Sequence, residues 1–205
     1  MPKLYDVLNE KFPKPEEGIS GNLELDILKG YTEGKKSVLE IGFNTGVSAA
    51  FFLENGAEKV VSFDIAKWGH EMDAKAIIDE KFPGKHELVV GDSLKTVPAY
   101  ESDEKFDLIF VDGYHWGIHP YHDIKNCREF AHEDTVLIID NMSPPVPDPV
   151  IAKKGWSVQG YQDVNRAWGA AAFMDKLIRP LKIDFRWNEG EEFGAGMAVC
   201  KYVLD

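Results

Sequence analysis

The sequence is short of cysteine, of positive charge and of long apolar runs, and each shortage excludes something. Its 205 residues hold two cysteines, Cys127 and Cys200, which form neither a metal-binding spacing nor a disulfide framework. Two such thiols suit a reducing compartment. Lys and Arg total 23 against 35 Asp and Glu, giving a net charge of −12 and a pI near 4.9. Such a surface repels polyphosphate and anionic lipid, so neither nucleic acid nor a membrane is expected as a partner. No apolar run approaches the ~20 residues of a spanning helix. Residues 1–13 carry Asp6 and Glu10 where a signal peptide needs an apolar stretch. The expectation is a soluble, cytoplasmic protein. Apolar and aromatic residues are plentiful, at 44% and 12%, too many for a disordered chain and enough for one domain with a sizeable core.

Short apolar runs alternate with helical patterns from residue 37 onward. Ser37–Gly42, Lys59–Asp64, Glu87–Gly91, Phe106–Asp112 and Thr135–Asp140 read as strands. Val47–Glu54, His70–Phe82 and Tyr121–Ala131 read as helices between them, and Leu23–Gly30 as a short helix before them. The runs at 107–111 and 135–139 are continuously apolar, the pattern of strands covered on both faces of a parallel sheet. Pro144, Pro145, Pro147 and Pro149 hold 143–150 extended. A helix is expected over Val164–Ile178. Leu181–Trp187 and Ala195–Val203 are then linked too briefly for a helical crossover, which predicts an antiparallel hairpin. The expected fold is α/β, a Rossmann-like doubly wound, mostly parallel seven-stranded sheet closed by that hairpin. Residues 1–36 form a mixed lead, a candidate cover for an acceptor site, and 37–205 the main domain.

Three strand ends carry the first constellation. Glu40-Ile41-Gly42-Phe43-Asn44-Thr45-Gly46 lies between a strand and a helix, where glycines allow a sharp turn and close approach of a ligand to the helix N-terminus. A dinucleotide fingerprint needs a third glycine, and the Glu40 carboxylate suits a cationic ligand better than a pyrophosphate. Asp64 ends the next strand, where an acid can take both hydroxyls of a ribose. Gly91-Asp92-Ser93 follows the third and can hydrogen-bond an adenine edge. Each alone also reads as ordinary turn chemistry. In this order they resemble the class I S-adenosylmethionine-dependent methyltransferases, over roughly residues 37–203. The resemblance implies S-adenosylmethionine as cofactor, with Gly42, Asn44 and Gly46 holding its methionine part, Asp64 its ribose, and Asp92 with Ser93 its adenine. Phe43 departs from the small or polar residue usual in that turn.

Asp112 ends the fourth strand and Asp140-Asn141 the fifth. Neighbouring parallel strands bring such ends together over the ligand crevice. Two carboxylates and an amide oxygen are hard ligands, suited to magnesium or calcium. Separately they read as a loop cap and an Asx turn. The trio resembles the divalent-metal-dependent small-molecule O-methyltransferases, and Asp112-Gly113-Tyr114-His115 resembles their Asp-Gly-x-His type. That resemblance implies a divalent metal, magnesium first in order, at Asp112, Asp140 and Asn141, and Asp112 bordering the cofactor as well. His115 stands where the catechol type has a lysine base, and an imidazole can take a proton from a hydroxyl that a metal has acidified.

His115, His119 and His122 also raise a zinc alternative, opposed by Gly117 and Pro120, which interrupt a common helical face. Tyr114 and Trp116 flank His115 as acceptor-pocket walls. Trp156, Tyr161 and Trp168 suit a pocket wall or the core. The expected activity is methyl transfer to a hydroxyl of a small-molecule acceptor. A metal-independent methyltransferase and a nucleotide-binding module without turnover remain as alternatives. A homodimer is an open expectation.

Overall fold

Apolar strands buried along their whole length need cover on both faces, and the centre of this molecule is built that way. The computed structural model describes residues 2–12, 22–142, 157–186 and 195–204. Strands β1 (Ser37–Ile41), β2 (Lys59–Asp64), β3 (His86–Val90), β4 (Phe106–Val111) and β5 (Ala131–Ile139) pair in parallel. β6 (Ile178–Arg186) and β7 (Ala195–Tyr202) are antiparallel, and the order is β3-β2-β1-β4-β5-β7-β6. The seven-stranded, mostly parallel sheet and its closing hairpin are therefore as expected. β7 lies inside, against β5, and leaves β6 at the edge. There Pro180 and the charges of Lys182, Asp184 and Arg186 discourage further pairing.

Alternation along the strands divides the core. Val38, Val60, Leu108, Phe110 and Ile138 face helices α1 (Leu4–Lys11), α2 (Asn22–Thr32), α3 (Val47–Glu54) and α4 (His70–Lys81). Leu39, Ile41, Val61, Phe63, Ile109, Val111, Leu137 and Ile139 face α5 (Ser93–Ala99), α6 (His119–Cys127) and α7 (Val158–Gly169). Every residue of α3 except Glu54 is buried, because the helix is held between the sheet and α1. The lead is built into this layer: Leu4, Leu8, Leu25, Ile27 and Leu28 are buried, each contributing about 1.5–3 kcal/mol relative to exposure.

Several boundaries differ from expectation: the helix expected over Tyr121–Ala131 spans His119–Cys127, β5 begins at Ala131 rather than Thr135, and β6 at Ile178 rather than Leu181. The helix expected over Val164–Ile178 begins at Val158, where the Ser157 hydroxyl accepts from Gly160 N at 3.1 Å. It ends in a π-helical turn, Ala170–Met174, and Ile178 starts β6 opposite Tyr202. Cross-strand pairing of a β-branched residue overrides the helical pattern there. α5 was not expected at all. Asp92 caps it by accepting from Leu94 N at 3.1 Å, and it runs despite Pro98 in its last turn.

The parallel ladder continues past the strand ends. Gly42 N bonds to Phe63 O, Gly91 N to Asp64 O and Asp112 N to Ile41 O, each at 2.8 Å, and Asp140 N to Val111 O at 3.0 Å. These bonds align the ends of five strands. Strand order reverses between β1 and β4, so this rim contains the crevice of a doubly wound sheet.

Candidate active site

Gly42 sits at the reversal with φ +97°, and a Cβ there would lie 2.1 Å from the Asp112 carbonyl oxygen. Only glycine lets the turn close against β4. Asn44 follows at φ +47°, a left-handed position that Asn tolerates. Its side-chain oxygen accepts from His70 Nε2 at 2.8 Å. Gly46, at φ +73°, starts α3 where a Cβ would press on Phe43 and Ile78. Phe43 itself turns into the core, its ring stacked on His86 at 4.8 Å. Its bulk thus fills space behind the turn.

Asp64 fastens this turn. Its Oδ2 accepts from Phe43 N at 2.8 Å and Asn44 N at 2.9 Å, and its Oδ1 from Ala66 N at 2.7 Å. Glu40 pairs across the sheet with Ser62, on the face toward α3. It is fully buried, and its carboxyl accepts from Ser48 and, at 2.6 Å, from Ser62. Burial lifts its pKa to about 8 against the opposing serine bonds. His86 Nε2 lies 3.0 Å from the same Ser62 hydroxyl, and burial, with Lys75 adding, lowers its pKa to about 4. Glu40 is thus held within the wall behind the turn.

At the end of β3, Asp92 caps α5 and lies 3.4 Å from Lys95. The Ser93 hydroxyl comes near Asp123 of α6 and opposes the rise of its pKa. Asp123 is 1% exposed, burial raises its pKa to about 7, and its Oδ1 has no hydrogen-bond partner. This acid lies beneath two turns of the crevice, close to Gly113 as well as Ser93.

Asp112 and Asp140 meet at the ends of β4 and β5. Their carboxyl groups lie close enough for each to affect the protonation of the other. Burial is the main cause that pushes both well above the ordinary carboxylate range, and the nearby charge of Glu24 on α2 pushes them further. The Asn141 backbone N–H bonds to the Asp140 carboxylate. Asn141 has φ +58°, and its side-chain oxygen is buried without a partner. The Tyr161 hydroxyl on α7 comes near these residues, and burial and the two acids raise its pKa. Among the described residues, no group of three or more His, Cys, Asp or Glu is placed to hold a metal ion.

The loop after Asp112 is pinned to α7. His115 Nε2 lies 3.3 Å from Asp112 Oδ1. Trp116 Nε1 donates to the Ser157 hydroxyl at 3.1 Å, and Gly117 N to Asp163 at 3.0 Å. Tyr114 is half exposed, with its ring against Trp116 and His119. α6 starts only at His119, so His115 lies outside that helix; His119 Nε2 is 3.9 Å from Asp92, and the His122 ring meets Tyr121 edge-on. Trp168 packs against the core and Phe173. Trp156 and the proline run lie outside the described residues.

The structure therefore gathers Gly42, Asn44 and Asp64 in one bonded turn, and Asp112, Asp140, Asn141 and His115 in another. Glu24, Asp123 and the approach of Tyr161 to Asn141 escaped sequence reading. No spacing marks them, because each comes from a helix remote in sequence from its neighbour.

The reversal of strand order, the glycine turn at that point and the acids along the rim define a methyltransferase of Rossmann-like fold. A family described as a methyltransferase domain matches residues 39–142, about half of the chain, and the chain belongs to it. By that membership it is a methyltransferase. No curated protein matches its sequence. Solved structures share its fold. An O-methyltransferase from Bacillus cereus in complex with S-adenosylhomocysteine is 17% identical, with a TM-score of 0.75 over 99% of this chain and 92% of that one. The O-methyltransferase TomG from Streptomyces achromogenes, involved in tomaymycin synthesis and in complex with S-adenosylmethionine, is 16% identical, with 0.72 over 100% and 91%. The S-adenosylhomocysteine-bound Podospora anserina methyltransferase PaMTH1 is 19% identical, with 0.70 over 100% and 89%. No helix among the described residues is long and apolar enough to cross a membrane.

Proposed function

We propose that this chain methylates a hydroxyl group of a small molecule, assisted by a divalent cation, with magnesium first in order. One observation carries the reading: two carboxyl groups meet at adjacent strand ends, and the residue that follows the second has a buried amide oxygen without a hydrogen-bond partner. The donor set is all hard oxygen, which fits magnesium or calcium. Asp112, Asp140 and Asn141 would hold the ion, which when bound lowers the pKa of an acceptor hydroxyl.

The chain's own residues do the rest. The β1–α3 turn, fixed by Asp64, would seat the methyl donor, whose sulfonium already carries an activated methyl group. Asp112 lies between the two halves, its carbonyl against Gly42 and its carboxyl against Asp140. It would align acceptor and donor, and such alignment contributes much of the rate in a bimolecular transfer. His115, 3.3 Å from Asp112, is the residue placed to accept the hydroxyl proton as the oxygen attacks. Tyr114 and Trp116 would bound the acceptor.

The test is calorimetry with S-adenosylhomocysteine, followed by a methyl-transfer assay across hydroxyl acceptors with and without a chelator. S-adenosylhomocysteine binds, a chelator abolishes transfer and added magnesium restores it. Transfer unchanged after metal removal replaces this reading with the metal-independent one.

A further inference from the structure

We infer that His86 is a positioning residue for the donor turn: held by Ser62, its ring backs Phe43 and keeps residues 42–46 in the shape that seats the amino-acid end of the methyl donor. The inference rests on the donor half of the proposed function and adds to it a residue buried behind the crevice.

Phe43 is the residue on which the turn hangs. Its N–H donates to Asp64 Oδ2 at 2.8 Å, and its carbonyl accepts from Gly46 N at 2.7 Å. Its side chain is 1% exposed and lies under the start of α3, where a Cβ on Gly46 would stand 2.8 Å from the ring. A shift of that ring therefore moves the backbone groups on either side of it. A phenyl ring has no polar atom to hold it in place, so its position depends on the surface it packs against.

His86 supplies that surface. It opens β3, opposite Val60 of β2, and is buried. The two rings stack with 4.8 Å between centroids and 22° between planes. Unlike a phenyl ring, an imidazole can be oriented by a hydrogen bond. The Ser62 hydroxyl donates to Glu40 Oε2 at 2.6 Å, which commits its one proton. Its oxygen then accepts from His86 Nε2, 3.0 Å away. Burial lowers the His86 pKa to about 4, so near neutral pH the ring has a single N–H, and this bond places it on Nε2. Nδ1, buried without a partner, carries the lone pair rather than an orphan proton. Ser48 of α3 closes the chain of bonds by donating to the other oxygen of Glu40. The face that meets Phe43 is thus fixed through groups on β1, β2 and α3. An aliphatic side chain at position 86 would fill the space without fixing that face.

The experiment is calorimetry of the purified protein, direct with S-adenosylhomocysteine and by competition with 5′-methylthioadenosine. The second ligand keeps the nucleoside and lacks the amino-acid end. Wild type, His86→Leu, His86→Phe, Phe43→Leu and the double variant of the two leucine changes are compared. His86→Leu should bind S-adenosylhomocysteine about 3- to 10-fold more weakly, the scale of an aromatic pair. Affinity for methylthioadenosine should change less than about 2-fold, because Asp64 keeps its bond to Ala66 N and Asp92 its place at the cap of α5. His86→Phe puts a ring back, held by packing, and should recover most of the loss. The double variant should lose no more than Phe43→Leu alone, because His86 acts through Phe43. The inference is overturned, with the donor reading intact, if His86→Leu binds S-adenosylhomocysteine like wild type or weakens both ligands alike. It is overturned equally if His86→Phe recovers nothing, or if the two leucine changes add in full. Should His86→Leu not fold, Phe43→Leu decides, since it must show the same split between the ligands. If wild type binds neither ligand, the donor reading falls and the inference with it.

Discussion

Asp64 Oδ2 lies 2.8 Å from the backbone nitrogen of Phe43, joining the end of β2 to the turn after β1. With Asn44 N and Ala66 N it makes three backbone bonds. A carboxylate has about four lone-pair sites, so the acid that the family resemblance assigns to a ribose is also the clasp of the glycine turn. Asp64→Ala should show both roles. Melting temperature should fall by several degrees, and S-adenosylhomocysteine should bind roughly 10–100-fold more weakly, the 1.5–3 kcal/mol typical of bonds to a charged group. Calorimetry beside a thermal melt checks this. A lowered melting temperature with unchanged affinity would confine Asp64 to the turn.

What the sequence made legible follows from how local each signal is. Lys59–Asp64 and Phe106–Val111 are apolar on both faces, so the parallel sheet and the order of its strand-end acids could be read from residue to residue. Asp112 and Asp140 were found together because parallel pairing brings successive strand ends side by side. The direction of a side chain was not legible in the same way. Glu40 ends β1 as a crevice acid should, yet the period of 2 along the strand turns it to Ser48 and Ser62. Phe43 looked out of place in the turn because its partner, His86, lies on a different strand. Glu24 is one acid among many on an amphipathic helix, and only the packing of α2 brings it near Asp112.

Gly42→Ala tests the close approach at the reversal of strand order. A methyl group 2.1 Å from the Asp112 carbonyl oxygen forces the turn away from β4, and φ +97° is strained for alanine. Overpacking and backbone strain together should cost roughly 3 kcal/mol or more. Denaturant unfolding should show that loss, and S-adenosylhomocysteine affinity should drop with it, because the displaced segment is the donor's seat. Gly30→Ala is the control: nothing lies within 4 Å of a Cβ there, so helix propensity alone should make it neutral or stabilising.

Glu40 makes stability depend on pH in an unusual direction for an acid. Its folded pKa, about 8, stands above the ordinary 4.5. Between those values the folded state holds a proton that the unfolded state has released, so stability falls as pH rises through that window. Glu40→Gln removes the ionisation and keeps an oxygen for the serine hydroxyls. The variant should match wild type near pH 4.5 and exceed it by roughly 3–5 kcal/mol above pH 8. Urea unfolding of both proteins from pH 4.5 to 8.5 reads the difference. His86, with its folded pKa near 4, slopes the other way between 4 and 6.5, but it is present in both proteins and cancels in the comparison.

His115 is the last link, and its test must separate proton transfer from support of the loop. The ring lies 3.3 Å from Asp112, while its backbone neighbours are held independently by Ser157 and Asp163. Removing the imidazole should therefore leave the loop in place. His115→Ala should lower turnover by ~10²–10⁴, the usual contribution of a positioned base. Affinity for S-adenosylhomocysteine should hardly change. The deciding measurement is a series of acceptors of similar shape and increasing hydroxyl acidity. A residue that takes the acceptor proton matters less as the hydroxyl ionises by itself, so the defect should shrink steadily along the series. A pocket wall that only orients the acceptor loses the same factor with every member. A defect that stays constant from the weakest to the strongest acid removes His115 as the base and leaves it among the walls with Tyr114 and Trp116.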